Sequence, residues 1–187
     1  KTKTATDSAE PASPDEEAPP SIDRENYQTI LEEDKLDALI AKIQEEKFLS
    51  FDLETTSLNA HQAEIVGFAL AVASEPAAYV PVGHRYLGMP QQLSLELVLE
   101  KLKPVLEDPE IAKVGQNLKY DMNVLARIGL RLEGLREDSM LAAYILDATR
   151  SSYSLDALSR EELQHETISY KSLTGTGKKQ IGFDEVA

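Results

Sequence analysis

The sequence of 187 residues contains no cysteine. That absence excludes a disulfide framework and any thiolate metal site, and it fits a reducing cytoplasm. No apolar run approaches the roughly 18 to 20 residues needed to span a bilayer, and the N-terminus has neither the basic start nor the apolar core of a signal peptide. Positive charge is scarce: 19 Lys and Arg stand against 33 Asp and Glu, for a formal net charge of -14. A protein that grips duplex phosphates by itself normally presents a basic face. Any nucleic acid must therefore be held through metal ions, by stacking, or by another part of a larger protein. An initial methionine is also missing, and the starting Lys1 is expected to mark a piece cut from a longer chain.

What is present is unevenly distributed. Residues 1–37 hold 11 acids against four Lys or Arg, so half of the net charge lies in the first fifth of the chain. Residues 1–22, rich in Ser, Thr, Ala, Pro, Asp and Glu and broken by Pro11, Pro14, Pro19 and Pro20, are expected to form a disordered acidic interdomain linker. The rest, 23–187, has the size and apolar content of one domain with a proper core.

Within that domain the pattern predicts a short strand at Tyr27–Leu31, then a helix with Leu36, Leu39, Ile40 and Ile43 on one face. Three strands follow, over Phe48–Glu54, Glu64–Ala73 and Ala78–Val82. The second is apolar on both faces, which marks a central strand covered on both sides. A helix from Ser94 to Glu107 is expected to be kinked or divided by Pro104. A strand at Ile111–Val114 leads to Asn117, read as the cap of a helix over Leu118–Ile128 that Gly129 closes. Asp138 caps a helix over Ser139–Asp147, and Ser154 caps another over Leu155–Gln164. Strands first, helices later and one βαβ step predict an α/β fold, a mixed sheet flanked by helices.

The chemistry centres on Phe48-Leu49-Ser50-Phe51-Asp52-Leu53-Glu54. Strand alternation sends Leu49, Phe51 and Leu53 into a core and leaves Asp52 and Glu54 together on the opposite face. Two acids side by side repel each other unless a cation lies between them, and a divalent metal suits all-oxygen ligands. Asp121 lies four residues after Asn117, in the first turn of its helix, where the positive helix end favours an ionised carboxylate. If the turn Gly115–Asp121 faces the sheet edge bearing Asp52 and Glu54, three carboxylates converge. Two cations held there would lower the pKa of an attacking water and stabilise a leaving oxygen.

Phe51-Asp52-Leu53-Glu54-Thr55-Thr56-Ser57-Leu58 and Val114-Gly115-Gln116-Asn117-Leu118-Lys119-Tyr120-Asp121 together resemble the first two motifs of the 3′-to-5′ proofreading exonuclease domains of bacterial family A DNA polymerases. The likeness runs from about Tyr27 to the end of the chain, through Tyr79-Val80-Pro81-Val82, Leu102–Asp108 and Leu163–Ile168. It implies a ribonuclease H-like fold of the DnaQ-like, DEDD exonuclease type and two-metal hydrolysis at the 3′ end of single-stranded DNA. On that resemblance, two Mg²⁺ or Mn²⁺ ions are expected, with Asp52 bridging both, Glu54 on the ion that activates water, and Asp121 on the second. Leu58 would wedge against the terminal base, while Gln116, Asn117 and Tyr120 would border the strand or the metal site. The implied partners are the polymerase and 5′ nuclease domains of the same parent chain, in the bacterial cytoplasm at the nucleoid. The family's third motif, a Tyr followed four residues on by an Asp, is not found before Ala187. Tyr153 and Asp156 have the wrong spacing and place, so the domain is expected to be C-terminally truncated and weak or inactive as it stands.

Several features have plainer readings. Gly175-Thr176-Gly177-Lys178-Lys179 lacks the residues and the preceding strand of a phosphate loop. His61, His84 and His165 have no ligand-like spacing, so surface or packing roles are expected. Tyr144, Ile145 and Leu146 are assigned to a core-facing stripe, and Leu58, after a polar Thr-Thr-Ser, is expected to be exposed. The rival functions are a stand-alone exoribonuclease of the same superfamily and a catalytically silent scaffold beside a polymerase.

Overall fold

The computed structural model describes residues 26–73 and 76–187, and the segment read as a linker lies outside them. Six strands form one mixed sheet: β1 (Gln28–Thr29), β2 (Phe48–Thr55), β3 (Ile65–Ala71), β4 (Ala78–Pro81), β5 (Ala112–Gly115) and β6 (Leu135–Asp138). Their order across the sheet is β1-β4-β3-β2-β5-β6. The β2, β3 and β4 neighbours are antiparallel, while β1 with β4, β2 with β5 and β5 with β6 run parallel.

The alternation in β2 behaves as expected, with Leu49, Phe51 and Leu53 buried and Asp52 exposed on the other side. The buried side chains join Phe68 and Leu70 of β3 and Val80 of β4 in the core. Three helices cover this face: α1 (Glu33–Glu46) through Leu36, Leu39 and Ile43, α2 (Leu95–Leu106) through Val98, Leu102, Val105 and Leu106, and α3 (Leu118–Arg127) through Leu118, Val124 and Leu125. α2 runs undivided through Pro104, which falls in its last turn and leaves the Glu100 carbonyl without that backbone N–H partner. β3 is central as predicted, yet Ala69 and Ala71 are only half-buried, so the face shared with Asp52 stays partly open.

The sequence pattern did not show β6, a four-residue strand with no alternation of apolar residues. It completes the β5-α3-β6 unit and delivers Asp138 to the sheet edge beside Gly115. Beyond it lie α4 (Ser139–Leu146), α5 (Leu155–Leu163), α6 (Tyr170–Thr174) and single 3₁₀ turns at Gly177–Lys179 and Phe183–Glu185. The Gly175–Lys179 loop thus follows a helix and carries a 3₁₀ turn, which removes the phosphate-loop reading. The stripe assignment on α4 is corrected. Tyr144, Ile145 and Leu146 are exposed, the last two at 80% and 85%, and Ala143 is the buried residue of the helix, which packs chiefly against β6 and α5. Among the described residues no helix is long and apolar enough to cross a membrane.

Candidate active site

The open face of the sheet is floored by small residues. Opposite Asp52 and Glu54 in the β2–β3 ladder stand Ala69 and Gly67, so the directly paired residues leave room above the strand, and the Tyr79 ring occupies the space over Gly67. A cavity of about 790 Å³ begins here, lined by Ser50, Asp52 and Ala69 of the sheet, Val114, Gly115 and Gln116 at the end of β5, and side chains of α4 and α5.

Asp121 reaches this place because the chain turns tightly after β5. A Cβ on Gly115 would come within 2.6 Å of the Phe51 carbonyl oxygen and 2.5 Å of Leu118 Cδ2, so only glycine lets the turn pass this close to β2. Asn117 then adopts a left-handed backbone, φ 57°, and α3 starts at Leu118. In the first turn the Asp121 carboxylate is 2% exposed, and its Oδ1 accepts a hydrogen bond from the Leu53 backbone N–H at 3.1 Å. The third acid is thereby pinned to the strand between Asp52 and Glu54.

The electrostatics of the three acids are linked. Burial raises Asp52 to about 6. Burial and then the Asp52 charge raise Glu54 to about 7. Asp121 is raised to about 7 by burial and the Asp52 charge, against the opposing effect of the Leu53 hydrogen bond. Asp52 is at once solvent-exposed and raised, since it stands at the mouth of the cavity with protein on most sides. Among the described residues no three Asp, Glu or His side chains form a ready-made metal cage. Asp121, from α3, lies beside β2 at Leu53, between the two strand acids, and commits one oxygen to the backbone there. Hard oxygen donors whose negative charge is left uncompensated fit Mg²⁺ or Mn²⁺ in donor chemistry.

The remaining predicted residues lie around this centre. Leu58 is 98% exposed, as expected. Tyr120 packs against the core, and its hydroxyl lies 2.5 Å from Thr55 Oγ1 and bonds the Ser57 carbonyl, which fixes the loop carrying Leu58. Gln116 lines the cavity, donates to the Tyr153 carbonyl at 2.8 Å and accepts from the Ser139 hydroxyl. The cap assignment for Asn117 is corrected: its side chain bonds no N–H of the helix, because a left-handed backbone aims it away.

The capping group is Asp138. Its Oδ1 accepts from the N–H groups of Asn117 (3.0 Å), Met140 (3.0 Å) and Leu141 (3.2 Å), and its Oδ2 from Leu118 (2.8 Å). One carboxylate thus caps α4, as the sequence indicated, and also α3, which no local signal reveals because the partner is some twenty residues away. Arg150 was likewise missed. It lines the cavity and pairs with Glu161 at 2.8 Å and with Glu162.

A mixed sheet with acids on its central strand and at the start of a facing helix fits the ribonuclease H-like fold that the resemblance implied. A family model described as 3′-5′ exonuclease, of the DNA polymerase A type, matches residues 27–187, and the chain belongs to that family. It is similar to DNA polymerase I of Pseudomonas aeruginosa, with 44% identity over 164 residues, covering 87% of this chain and 18% of that protein. The chain therefore spans less than a fifth of that relative's length. Among solved structures it resembles Escherichia coli RNase D, an exoribonuclease involved in structured RNA processing (TM-score 0.58, 22% identity, 81% of this chain and 36% of that one). It also resembles Brucella melitensis NrnC with bound Mg²⁺ (TM-score 0.52, 17% identity, 81% and 67%).

Proposed function

We propose that this domain removes nucleotides from the 3′ end of single-stranded DNA by hydrolysis at two divalent ions held by Asp52, Glu54 and Asp121. The observation that carries the reading is the bond from Leu53 N–H to Asp121, which keeps a third buried acid beside two others that repel it. When bound, Mg²⁺ or Mn²⁺ would supply an activated water and charge stabilisation at the leaving oxygen. Asp52, whose charge acts on both other acids, is the residue suited to serve both ions. Leu58, held out on the loop that Tyr120 fixes, offers an apolar edge to the terminal base, and Gln116 at the cavity rim borders the strand.

The kinship with DNA polymerase I supports DNA as substrate and a polymerase and a 5′ nuclease as companion domains of the parent, at the bacterial nucleoid. There a frayed primer end would be presented as single strand, and a mismatch would lower the cost of melting it. The open ligand set favours weak ion binding and slow turnover by this chain alone. The test is shortening of a 5′-labelled single-stranded DNA in Mn²⁺, with an RNA of the same sequence in parallel. Slow loss from the 3′ end of DNA, abolished by Asp52→Ala, is expected. Preference for RNA would favour the exoribonuclease reading, and no shortening of either strand would leave the silent scaffold.

A further inference from the structure

The acidic face of the sheet carries one more built feature. Gly67 stands directly across from Glu54, and the ring of Tyr79 lies over it: a Cβ at position 67 would collide with the phenol hydroxyl, Cζ and Cε2. Cβ positions of opposed residues are about 5 Å apart, so the Tyr79 hydroxyl stands within reach of the Glu54 carboxylate. The Glu54 charge is accordingly among the causes that raise the Tyr79 pKa, after burial.

A phenol beside a carboxylate would ordinarily donate its proton to it. Here the hydroxyl is engaged elsewhere. It lies 2.7 Å from His84 Nε2, and His84 Nδ1 lies 3.0 Å from the Val186 carbonyl oxygen. A carbonyl can only accept, so Nδ1 carries the imidazole proton, Nε2 of the neutral ring is bare, and Tyr79 is the donor to His84. The backbone of His84 is anchored too: its N–H donates to Gln92 Oε1 at 2.9 Å, and its carbonyl accepts from Gln92 Nε2 at 2.9 Å. The side chain is 8% exposed.

We propose that His84 is a positioning residue for the acidic site, which draws the Tyr79 proton to itself and so keeps that hydroxyl from bonding Glu54, leaving the carboxylate free for a divalent cation. This rests on the metal-site reading above. Gly67 admits the ring, Tyr79 screens Glu54 on the β4 side, and the Val186–His84 pair sets the direction of the phenol proton that would otherwise compete with a cation at Glu54. Neither Tyr79 nor His84 touches a reacting atom.

The test uses Mn²⁺ alone as probe, with free ion followed by electron paramagnetic resonance in the full chain. His84→Ala should weaken Mn²⁺ binding about tenfold, because the released hydroxyl turns to Glu54 and that hydrogen bond to a charged group must be displaced before the ion binds. Tyr79→Phe should bind like wild type, and adding it to His84→Ala should restore wild-type binding, a rescue that a merely structural role for His84 would not give. His84→Gln, whose amide oxygen can accept the same proton, should also bind like wild type. A double variant as weak as His84→Ala, or Tyr79→Phe weakened on its own, overturns the inference. So does wild-type affinity in His84→Ala. Absence of Mn²⁺ binding by the wild type itself removes the metal-site reading, and this inference with it.

Discussion

Each of the three acids is more easily protonated in the folded chain than in an unfolded one. Asp52 and Asp121 rise from 3.8 to about 6 and about 7, and Glu54 rises from 4.5 to about 7. Across that window the folded form binds more protons than the unfolded form, so stability falls as pH rises through it. In chelator, the thermal midpoint should therefore be higher near about pH 5 than near about pH 8, and Asp52→Asn should narrow the difference. Mn²⁺ should act in the opposite sense, binding more tightly at the higher pH because carboxylate ligands must lose their protons. A midpoint that rises from the lower to the higher pH without metal would contradict the burial of uncompensated charge. At this scale the sequence was legible where chemistry follows from alternation: Asp52 and Glu54 share a face because strands alternate. It was not legible for Asn117, whose backbone sign is set by the tight passage of Gly115 over Phe51 and leaves no mark in residue types.

The elements that deliver Asp121 depend on two contacts made across long stretches of chain. Asp138→Ala would remove the acceptor for the starts of both α3 and α4. A single lost cap costs about 1 kcal/mol, so a loss of about 2 kcal/mol in denaturant unfolding is expected, with Mn²⁺ affinity falling as the turn before Asp121 loosens. A cost no larger than that of Ser154→Ala, which frees one cap on α5, would show that α3 does not rely on Asp138. Gly115→Ala should be at least as damaging, since its methyl would press on backbone that cannot swing aside. The helices α2, α3, α4 and α5 were readable from period and caps, each to within a residue or two of its end, and α1 from its apolar face, whereas the short α6 in the polar tail was not. β6 was not, because four residues with charge at Arg136, Glu137 and Asp138 become a strand only by pairing with β5.

For the whole molecule, what matters is which surfaces are covered. One face of the sheet is sealed by α1, α2 and α3, and the other is left partly open above the acids. On that side α4 leaves Leu141, Tyr144, Ile145 and Leu146 exposed, and clustered large apolar side chains in water favour association. Period alone made this helix look like core, since a sequence shows that a face is apolar and not what lies against it. In sedimentation, concentration-dependent self-association is expected, and it should diminish in Ile145→Lys/Leu146→Glu. A monodisperse wild-type monomer at all concentrations would show that the face is tolerated in water.

The central claim is that Asp52, Glu54 and Asp121 bind divalent ions, and the most direct measurement is anomalous diffraction from crystals soaked in Mn²⁺. The expected result is a peak bonded to an Asp52 oxygen and shared with Glu54 or Asp121, absent from Asp52→Ala crystals. Mn²⁺ bound elsewhere with this cluster empty, or a peak that persists in Asp52→Ala, would contradict it.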